Sequence, residues 1–417
     1  MSQFLKKYLL IILFCAVLLV PSLGGLFIEP DVSAENRALT SAPQWKGLGT
    51  LSEYEMYLTD RIAFRSELIQ ASALIDYFVF QKSIAPNVLI GDNGQLFYNE
   101  KNELIDTNEY LLGNTVVAEE CLDGIVSVQN EIQAAMDARG IQYLVVIAPT
   151  KQAVYPEDLP AYYRGNKEND TVKNQILERL KQETDVEILD LTDAMLDEKQ
   201  QHPVYLKTDS HWNYFGSFRG YEEIIKSLQT SYPNLPLLSR DMFQYSMTPE
   251  YGQNLAKMIS LGDMLADENA VRFNPEIPMV DAIVEVPRNY PDPNYGSPEF
   301  RMIVTEQPDR MDLPSAILYR DSFAGLDGWT IGNLNRYLPT AFSSFASYAQ
   351  YQIDFNYIDV EKPDIVIWEV YEDNIYRLGI NCLHPGQVSA DRPLYNWNTT
   401  LNGEYYIANE NQYSPYK

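Results

Sequence analysis

The sequence is poor in histidine, cysteine and positive charge. Its 417 residues include 3 histidines and 3 cysteines, and 31 lysines and arginines stand against 58 acidic residues, a formal net charge of −27. This shortage of basic residues argues against nucleic acid as a partner, because phosphates require a basic surface. No Cys/His cluster with ordered spacing is present, so we predict a site without a metal ion or a cofactor.

The few cysteines leave their redox state open. Cys15 lies in an apolar run near the N-terminus, which leaves Cys121 and Cys382 as one possible disulfide pair. The alternative is two buried free thiols, because unpaired cysteine behaves as a small apolar residue.

The N-terminus carries the longest apolar run. Lys6 and Lys7 precede an uncharged stretch from Tyr8 to Ile28, which is long enough to span a bilayer and has its positive charges on the expected cytoplasmic side. An uncleaved membrane anchor is the favoured interpretation. A cleaved signal peptide is the alternative, since the strongly apolar part has the size of a signal-peptide core. Either interpretation exports the rest of the chain.

The rest of the chain has the composition of a folded protein, with 46% hydrophobic residues and enough length for one large or two ordinary domains. Residues 1–28 are predicted to be the anchor or signal, 29–87 a linker with an amphipathic helical region, and 88–417 the main domain. Within the main domain, helical periodicity alternates with apolar strand-like runs, which predicts an α/β layered sheet. The predicted strands are Tyr143–Ala148, Val186–Leu191, Ala316–Tyr319 and 363–370. One predicted helix ends at Arg139–Gly140, and a second runs from an Asp170 cap to Glu183.

Two short polar segments could meet to form a nucleophilic site. Asp209 and His211 lie two residues apart at the expected start of a helix, and Ser322 directly follows the strand Ala316–Tyr319. A serine hydroxyl needs a neighbouring base, usually a histidine oriented by a carboxylate, and the carboxyl end of a buried strand is where α/β sheets place ligands. The residues alone leave plainer alternatives open: Asp209 as a helix N-cap, His211 as a packed histidine and Ser322 as a turn serine. The GxSxG motif of α/β-hydrolases is absent.

These segments resemble a known family. Asp-Ser-His-Trp followed by Gly216, and later Asp-Ser-Phe after a strand, are similar to motifs of the SGNH-hydrolase-like proteins of the alginate O-acetyltransferase (AlgX/AlgJ-like) and DHHW families. Further similar stretches are Ile90-Gly91 with Gly94-Gln95-Leu96-Phe97, Ala148-Pro149-Thr150-Lys151, Asn254 to Met258 and Lys362-Pro363-Asp364. The resemblance implies an SGNH-hydrolase-like fold with a mostly parallel central sheet in residues 88–417.

The resemblance also implies an activity. It assigns Ser322 as nucleophile, His211 as base and Asp209 as the residue that orients the base. Acetyl groups would pass to a polysaccharide outside the membrane, supplied by a membrane-bound O-acyltransferase partner. An acetylesterase on the same triad, or a non-catalytic carbohydrate-binding or scaffold protein, are the alternatives.

Four further residues are predicted to contact the substrate: Lys151, Trp212, Tyr319 and Arg320. Arg320 stands where the family commonly has glycine, which predicts a bulkier and more cationic mouth of the site. The backbone N–H of Ser322 is the natural first donor of an oxyanion hole.

Overall fold

The computed structural model describes residues 3–25, 27, 39–101, 106–165, 170–276, 283–286, 303–325, 332–348 and 353–379. The chain divides into two compact units. The first consists of Met1–Ile90 and Tyr251–Ala266, and the second of Gly91–Glu250 and Asp267–Lys417. The domain limits set from the sequence stay a prediction.

Helices and strands are numbered in chain order over the described ranges. The α-helices are α1 (Gln3–Gly24), α2 (Leu51–Asp60), α3 (Arg65–Phe80), α4 (Thr107–Leu112), α5 (Glu119–Asp137), α6 (Lys151–Val154), α7 (Val172–Glu183), α8 (Thr192–Lys199), α9 (Tyr214–Leu228), α10 (Asn254–Met258) and α11 (Phe355–Glu361). The strands are β1 (Val88–Ile90), β2 (Leu96–Tyr98), β3 (Gln142–Ala148), β4 (Glu187–Asp190), β5 (Gln244–Met247), β6 (Val271–Asn274), β7 (Val284–Glu285), β8 (Ile303–Glu306), β9 (Ala316–Tyr319), β10 (Ser344–Tyr348) and β11 (Ile365–Tyr371).

The N-terminal apolar run forms α1, which contains Pro21 close to its end. Nowhere in the described ranges does a helix combine the length and apolar character that a bilayer crossing requires. The transmembrane helix predicted for residues 1–28 is therefore not supported.

The second unit is built on a seven-stranded sheet with the order β4-β3-β11-β9-β10-β8-β7. The first five strands pair in parallel. β8 pairs antiparallel with β10, and β7 pairs antiparallel with β8. The prediction of an α/β sheet is confirmed, but the description as mostly parallel needs correction, because these antiparallel pairings at one edge make the sheet mixed.

The central strands form because their runs are apolar on both faces, as a parallel strand covered by helices requires. Every residue of β11 is buried, and β3 is buried except at its first residue. The helix α5 that precedes β3 ends where Gly140 adopts a left-handed φ of 69° and the N–H of Ile141 donates to Met136 O over 3.0 Å. This is a usual glycine-dependent helix stop, and it agrees with the end predicted at Arg139–Gly140.

Alternate residues of the strands pack on one main core cluster, together with α5 and α7. Its strand members include Tyr143, Val145 and Ile147 of β3, Ile317 and Tyr319 of β9, and Val366, Trp368 and Val370 of β11. Since side chains alternate along a strand, Glu369 and Tyr371 point to the opposite face of the sheet. That face carries the candidate site.

The second unit contains a disulfide bond at Cys121, whereas Cys15 in α1 is free and exposed. The alternative in which Cys121 is a buried free thiol is therefore wrong. Cys382 lies outside the described residues.

Candidate active site

The Asp-Ser-His segment lies at the tip of a hairpin-like loop. Tyr205 and Trp212 pair as an antiparallel bridge, and the N–H of Leu206 donates to His211 O. Below the tip, Thr208 donates from its N–H and its hydroxyl to Asp267 Oδ2, over 2.6 and 2.9 Å. These hydrogen bonds fix the backbone of the loop and so fix the positions of its polar residues.

The helix after this loop begins later than predicted. α9 starts at Tyr214, and its cap is Asn213, whose Oδ1 accepts from the N–H groups of Phe215 and Gly216. Asp209 is thus not an N-cap, and its carboxylate does not lie in the first turn of the helix. Gly216 permits a close approach of the backbone, because a Cβ there would lie 2.4 Å from Val204 O.

Asp209 instead acts on His211 directly. Asp209 Oδ1 accepts from the backbone N–H of His211 over 3.0 Å and contacts ring atom Nδ1 at 2.7 Å. The backbone bond is the local Asx-type contact that aspartate forms with the residue two positions on. Accepting both bonds fixes the ring orientation and favours the tautomer with the proton on Nδ1.

Ser322 completes the constellation. Its Oγ lies 2.9 Å from His211 Nε2, across 111 residues of sequence. Asp209 is buried and His211 nearly so, whereas the Ser322 residue is exposed. The geometry is that of a nucleophile within reach of a base that is itself oriented by a carboxylate.

Ser322 begins a 3-10 turn, Ser322–Ala324, at the carboxyl end of β9. Asp321 caps this turn, since its Oδ1 accepts from the N–H of Phe323 over 2.9 Å. The N–H of Ser322 has no partner among the described residues, so it is available as an oxyanion donor.

Phe323 joins the two halves of the site. Its carbonyl accepts from Trp212 Nε1 over 3.1 Å, and its ring centroid lies 4.9 Å from that of His211. The ring of Tyr371 stacks on Phe323 at 4.6 Å. An apolar floor therefore lies under the imidazole and limits its freedom to rotate.

Three of the predicted substrate contacts need correction, because their side chains are directed into the protein. Trp212 and Tyr319 have 0% exposure, and Lys151 has 1%. Trp212 supports the Ser322 turn as described, and Tyr319 donates from its hydroxyl to Asp354 O on the core side of the sheet. Strand alternation gives the reason for Tyr319: it shares the face of Ile317, away from the site.

Lys151 lies beneath the Asp209 loop. Its Nζ donates to three carbonyls, those of Leu96 and Lys207 at 2.7 Å and of Asp209 at 3.2 Å. An ammonium group has three donors, so this arrangement satisfies it completely. Burial nevertheless lowers the pKa of Lys151 to about 7, against the raising influence of Asp267, Asp209 and Asp158.

Arg320 is also buried, with 7% exposure. Its Nε donates to Ser347 Oγ over 3.0 Å and its Nη1 to Asp321 O over 3.2 Å. This placement disagrees with the prediction of a bulky cationic mouth, because the guanidinium supports the nucleophile turn from inside.

Sequence reasoning missed two buried carboxyl groups behind Ser322. Asp321 Oδ2 accepts from the N–H of Tyr371 over 2.7 Å, and the N–H of Asp321 donates to Glu369 Oε2 over 3.1 Å. A signal was present, since Glu369 is the single charged residue in the apolar run of β11. Within the described part of the chain, no three His, Cys, Asp or Glu side chains gather as a metal-ligand set.

Comparison with known proteins places this geometry in context. Residues 88–273 match the family model described as "SGNH hydrolase-like domain, acetyltransferase AlgX". The probable alginate O-acetylase AlgJ of Pseudomonas aeruginosa is 25% identical over 149 residues, which are 35% of this chain and 34% of the relative. The chain thus aligns with about a third of the length of this curated relative.

Two solved structures are also similar. The O-acetyltransferase domain of Pseudomonas putida AlgJ has a TM-score of 0.45 and 19% identity, over 70% of this chain and 93% of that one. A DHHW family protein from Eubacterium siraeum has a TM-score of 0.47 and 13% identity, over 71% of this chain and 97% of that one. The resemblance predicted from the sequence is confirmed over residues 88–273, which are similar to the SGNH hydrolase-like domain of acetyltransferase AlgX.

Proposed function

We propose that this chain is an O-acetyltransferase that moves acetyl groups through an acetyl-Ser322 intermediate to hydroxyls of a polysaccharide. The observation that carries the proposal is the continuous hydrogen-bond path from Ser322 Oγ through the ring of His211 to Asp209, at 2.9 and 2.7 Å. The match to an acetyltransferase family model supports the choice of acetyl as the transferred group.

In the first half-reaction, His211 Nε2 takes the hydroxyl proton of Ser322 while Oγ attacks the acetyl carbonyl carbon of a donor ester. Asp209 stabilises the imidazolium that forms, and the N–H of Ser322 donates to the developing oxyanion. The bond to the donor's leaving group breaks, and His211 returns its proton to that group. The product is acetyl-Ser322.

In the second half-reaction, His211 takes the proton of a sugar hydroxyl, whose oxygen attacks the acetyl carbon. The bond to Ser322 Oγ breaks, and the proton passes from His211 to the serine. The exposed position of Ser322 leaves room for a polymeric acceptor at the surface. It also leaves room for water, which would make the protein an acetylesterase on the same residues.

The proposal extends to location and partner. A disulfide at Cys121 is expected in an oxidising compartment, which supports a position outside the cytoplasm. The family resemblance adds a membrane-bound O-acyltransferase as the partner that supplies acetyl groups.

The test compares Ser322→Ala with Ser231→Ala, an exposed serine outside the site, as the matched control. Each protein is mixed with p-nitrophenyl acetate, and acetyl attachment is located by mass spectrometry of peptides. We expect acetyl-Ser322 in the wild type and the control, and none in Ser322→Ala. Labelling that persists in Ser322→Ala would contradict the nucleophile assignment.

The acceptor is tested with the acetylated wild type. Loss of acetyl to an added polysaccharide faster than to buffer supports the transferase, whereas equal rates support the esterase. If the protein is a non-catalytic scaffold, the wild type is never acetylated, and Ser322→Ala binds the polysaccharide as the wild type does.

A further inference from the structure

A second pair of acidic side chains lies directly behind the proposed nucleophile. Glu369 in β11 and Asp321 at the end of β9 are 1% and 6% exposed. The backbone N–H of Asp321 donates to Glu369 Oε2 over 3.1 Å, and each carboxyl group shifts the pKa of the other through a side-chain hydrogen bond. A hydrogen bond between two carboxyl groups requires a proton on one of them.

The surrounding bonds indicate which carboxyl group carries that proton. Asp321 accepts from two backbone N–H groups, those of Phe323 and Tyr371. Glu369 Oε2 accepts from one, and Glu369 Oε1 has no partner within the described ranges. Since N–H donors stabilise an anion, Asp321 is the better-stabilised carboxylate and Glu369 the protonated acid.

The electrostatic environment agrees with this assignment. Burial, and next the negative charge of Asp321, raise the pKa of Glu369 well above its ordinary value. Burial also raises the pKa of Asp321, but the N–H groups of Phe323 and Tyr371 oppose that rise. Two carboxyl groups in contact inside a protein do not both ionise at neutral pH, because their negative charges repel each other.

The pair is connected to the reacting groups on both sides. Through Phe323 it caps the turn that begins with Ser322, and through Tyr371 it fastens that turn to β11. His211 is close enough to lower the pKa of Asp321.

We propose that Glu369 is a positioning residue of the acyl-transfer site, which shares one proton with Asp321 and so fixes the turn that carries Ser322. The proposal rests on the proposed function for its catalytic consequence. Glu369 itself touches neither Ser322 nor the space for substrate, and it acts through Asp321.

The other groups that face Glu369 bear on its titration. From the β9 side these are Asp321 and Arg320, whose positive charge lowers the pKa of Glu369. Tyr205 of the hairpin-like loop interacts electrostatically with Glu369 as a neutral phenol whose own pKa is raised well above its ordinary value by burial. The register neighbour on β3 is Val146, which is uncharged.

The test uses Glu369→Gln and Glu369→Leu, with the exposed Glu120→Gln as control. Glutamine keeps a donor to Asp321, whereas leucine removes it. We expect Glu369→Gln to acetylate Ser322 at close to the wild-type rate at pH 7 and Glu369→Leu to be roughly 100-fold slower, as for a misplaced reacting group. In the wild type the rate declines at alkaline pH as Glu369 loses its proton, and in Glu369→Gln this decline is absent.

Two readouts do not depend on activity. The infrared absorption of protonated carboxyl groups at pH 7 should be weaker in Glu369→Gln than in the wild type, since burial also raises the pKa of Asp373 and that group contributes equally to both spectra. Amide hydrogen exchange of the peptide 316–325 should be faster in Glu369→Leu than in the wild type and Glu369→Gln, while circular dichroism shows each variant folded.

The outcomes separate the two proposals. Infrared spectra that do not differ between the wild type and Glu369→Gln, or a Glu369→Gln as slow as Glu369→Leu, overturn the shared proton. A folded Glu369→Leu with wild-type rate and exchange overturns the positioning role. If wild-type Ser322 is never acetylated, the proposed function fails, and the infrared and exchange measurements still decide the role of Glu369.

Discussion

At the scale of single residues, the site depends on atoms that each have more than one partner. Asp209 Oδ1 accepts from both the backbone and the ring of His211, and Lys151 Nζ donates to three carbonyls. Such shared atoms fix a geometry more firmly than single bonds do, because one cannot be lost without disturbing the other.

Asp209→Asn should lower the rate of Ser322 acetylation by about 10⁴-fold while leaving the fold intact. An amide in this position can present its NH₂ to Nδ1, which holds the imidazole in the tautomer that cannot accept the serine proton. The rate with p-nitrophenyl acetate measures the effect, and Asp241→Asn at an exposed position is the control. A variant within tenfold of the wild type would remove Asp209 from the mechanism.

Lys151 should give the stability of the protein a measurable pH dependence. Its pKa is about 7 in the folded chain and 10.5 ordinarily, so between these values the unfolded chain binds more protons. The contribution of this residue to the free energy of unfolding therefore rises with pH across that window. Urea unfolding of Lys151→Met should show a flatter pH dependence than the wild type from pH 7 to 10.

The matched control is Lys226→Met, since Lys226 is half-exposed on α9 and forms a surface ion pair with Glu223. Its pH dependence should follow the wild type. If Lys151→Met also follows the wild type, the amine keeps its ordinary pKa when buried.

At the scale of elements, the hairpin-like loop and the 3-10 turn are joined by few bonds. One is the contact between His211 and Ser322, and another is the indole hydrogen bond from Trp212 to Phe323 O. The second bond orients the turn without taking part in chemistry.

Trp212→Phe keeps an aromatic ring at this position and removes the donor. We expect the free energy of unfolding to fall by about 1–3 kcal/mol, because Phe323 O is left buried without a partner, and the acetylation rate to fall as well. Urea unfolding and the ester assay measure the two effects. Trp45→Phe, at an exposed tryptophan, should change neither, and an unchanged Trp212→Phe would show that the bond is not needed.

The elements also show how much was predictable from sequence. β9 was predicted with its correct limits, because its apolar run ends sharply at Arg320. The sequence favours Asp209 as the start of the helix, whereas Asn213 is the cap of α9 in the structure. Both residue types are good caps, and only the fold shows that the carboxylate of Asp209 binds His211 instead. The inward orientation of Lys151 and Trp212 was missed for a related reason. A polar or amphipathic side chain is expected at the surface unless its buried partners are known.

The chemistry followed the same division. Local spacing selected Asp209 and His211, the buried strand Ala316–Tyr319 indicated Ser322, and the resemblance to a family assigned the three residues their roles. Glu369 could have been noticed as a lone charge in an apolar strand, but its meaning depends on Asp321, which strand pairing alone brings into contact with it. Pairings of this kind cannot be read from periodicity.

At the scale of the whole molecule, the parallel strands bring their carboxyl ends to one edge of the sheet. β3 leads to Lys151, β9 to Ser322 and β11 to Tyr371, so the support and the nucleophile come from neighbouring strands. The antiparallel strands β8 and β7 are the last two strands at one side of the sheet, next to β10.

The disulfide at Cys121 should stabilise this unit as a whole. We expect Cys121→Ser to lower the free energy of unfolding by about 2–4 kcal/mol, because the unfolded chain gains conformational freedom without the crosslink. Cys15→Ser removes a free thiol and is the control, with no change expected. Equal urea midpoints for Cys121→Ser and the wild type would contradict a stabilising role.

The contact between His211 and Ser322 joins positions 111 residues apart, and so does the bond from Trp212 to Phe323. Contacts between distant positions carry a large loop-closure entropy and slow the approach to the native state. During refolding, the secondary structure should therefore recover before the ester-cleaving activity does. The recovery of activity would then mark the formation of the last long-range contacts in the chain. The lag between the recovery of secondary structure and the recovery of activity would measure how long that step takes.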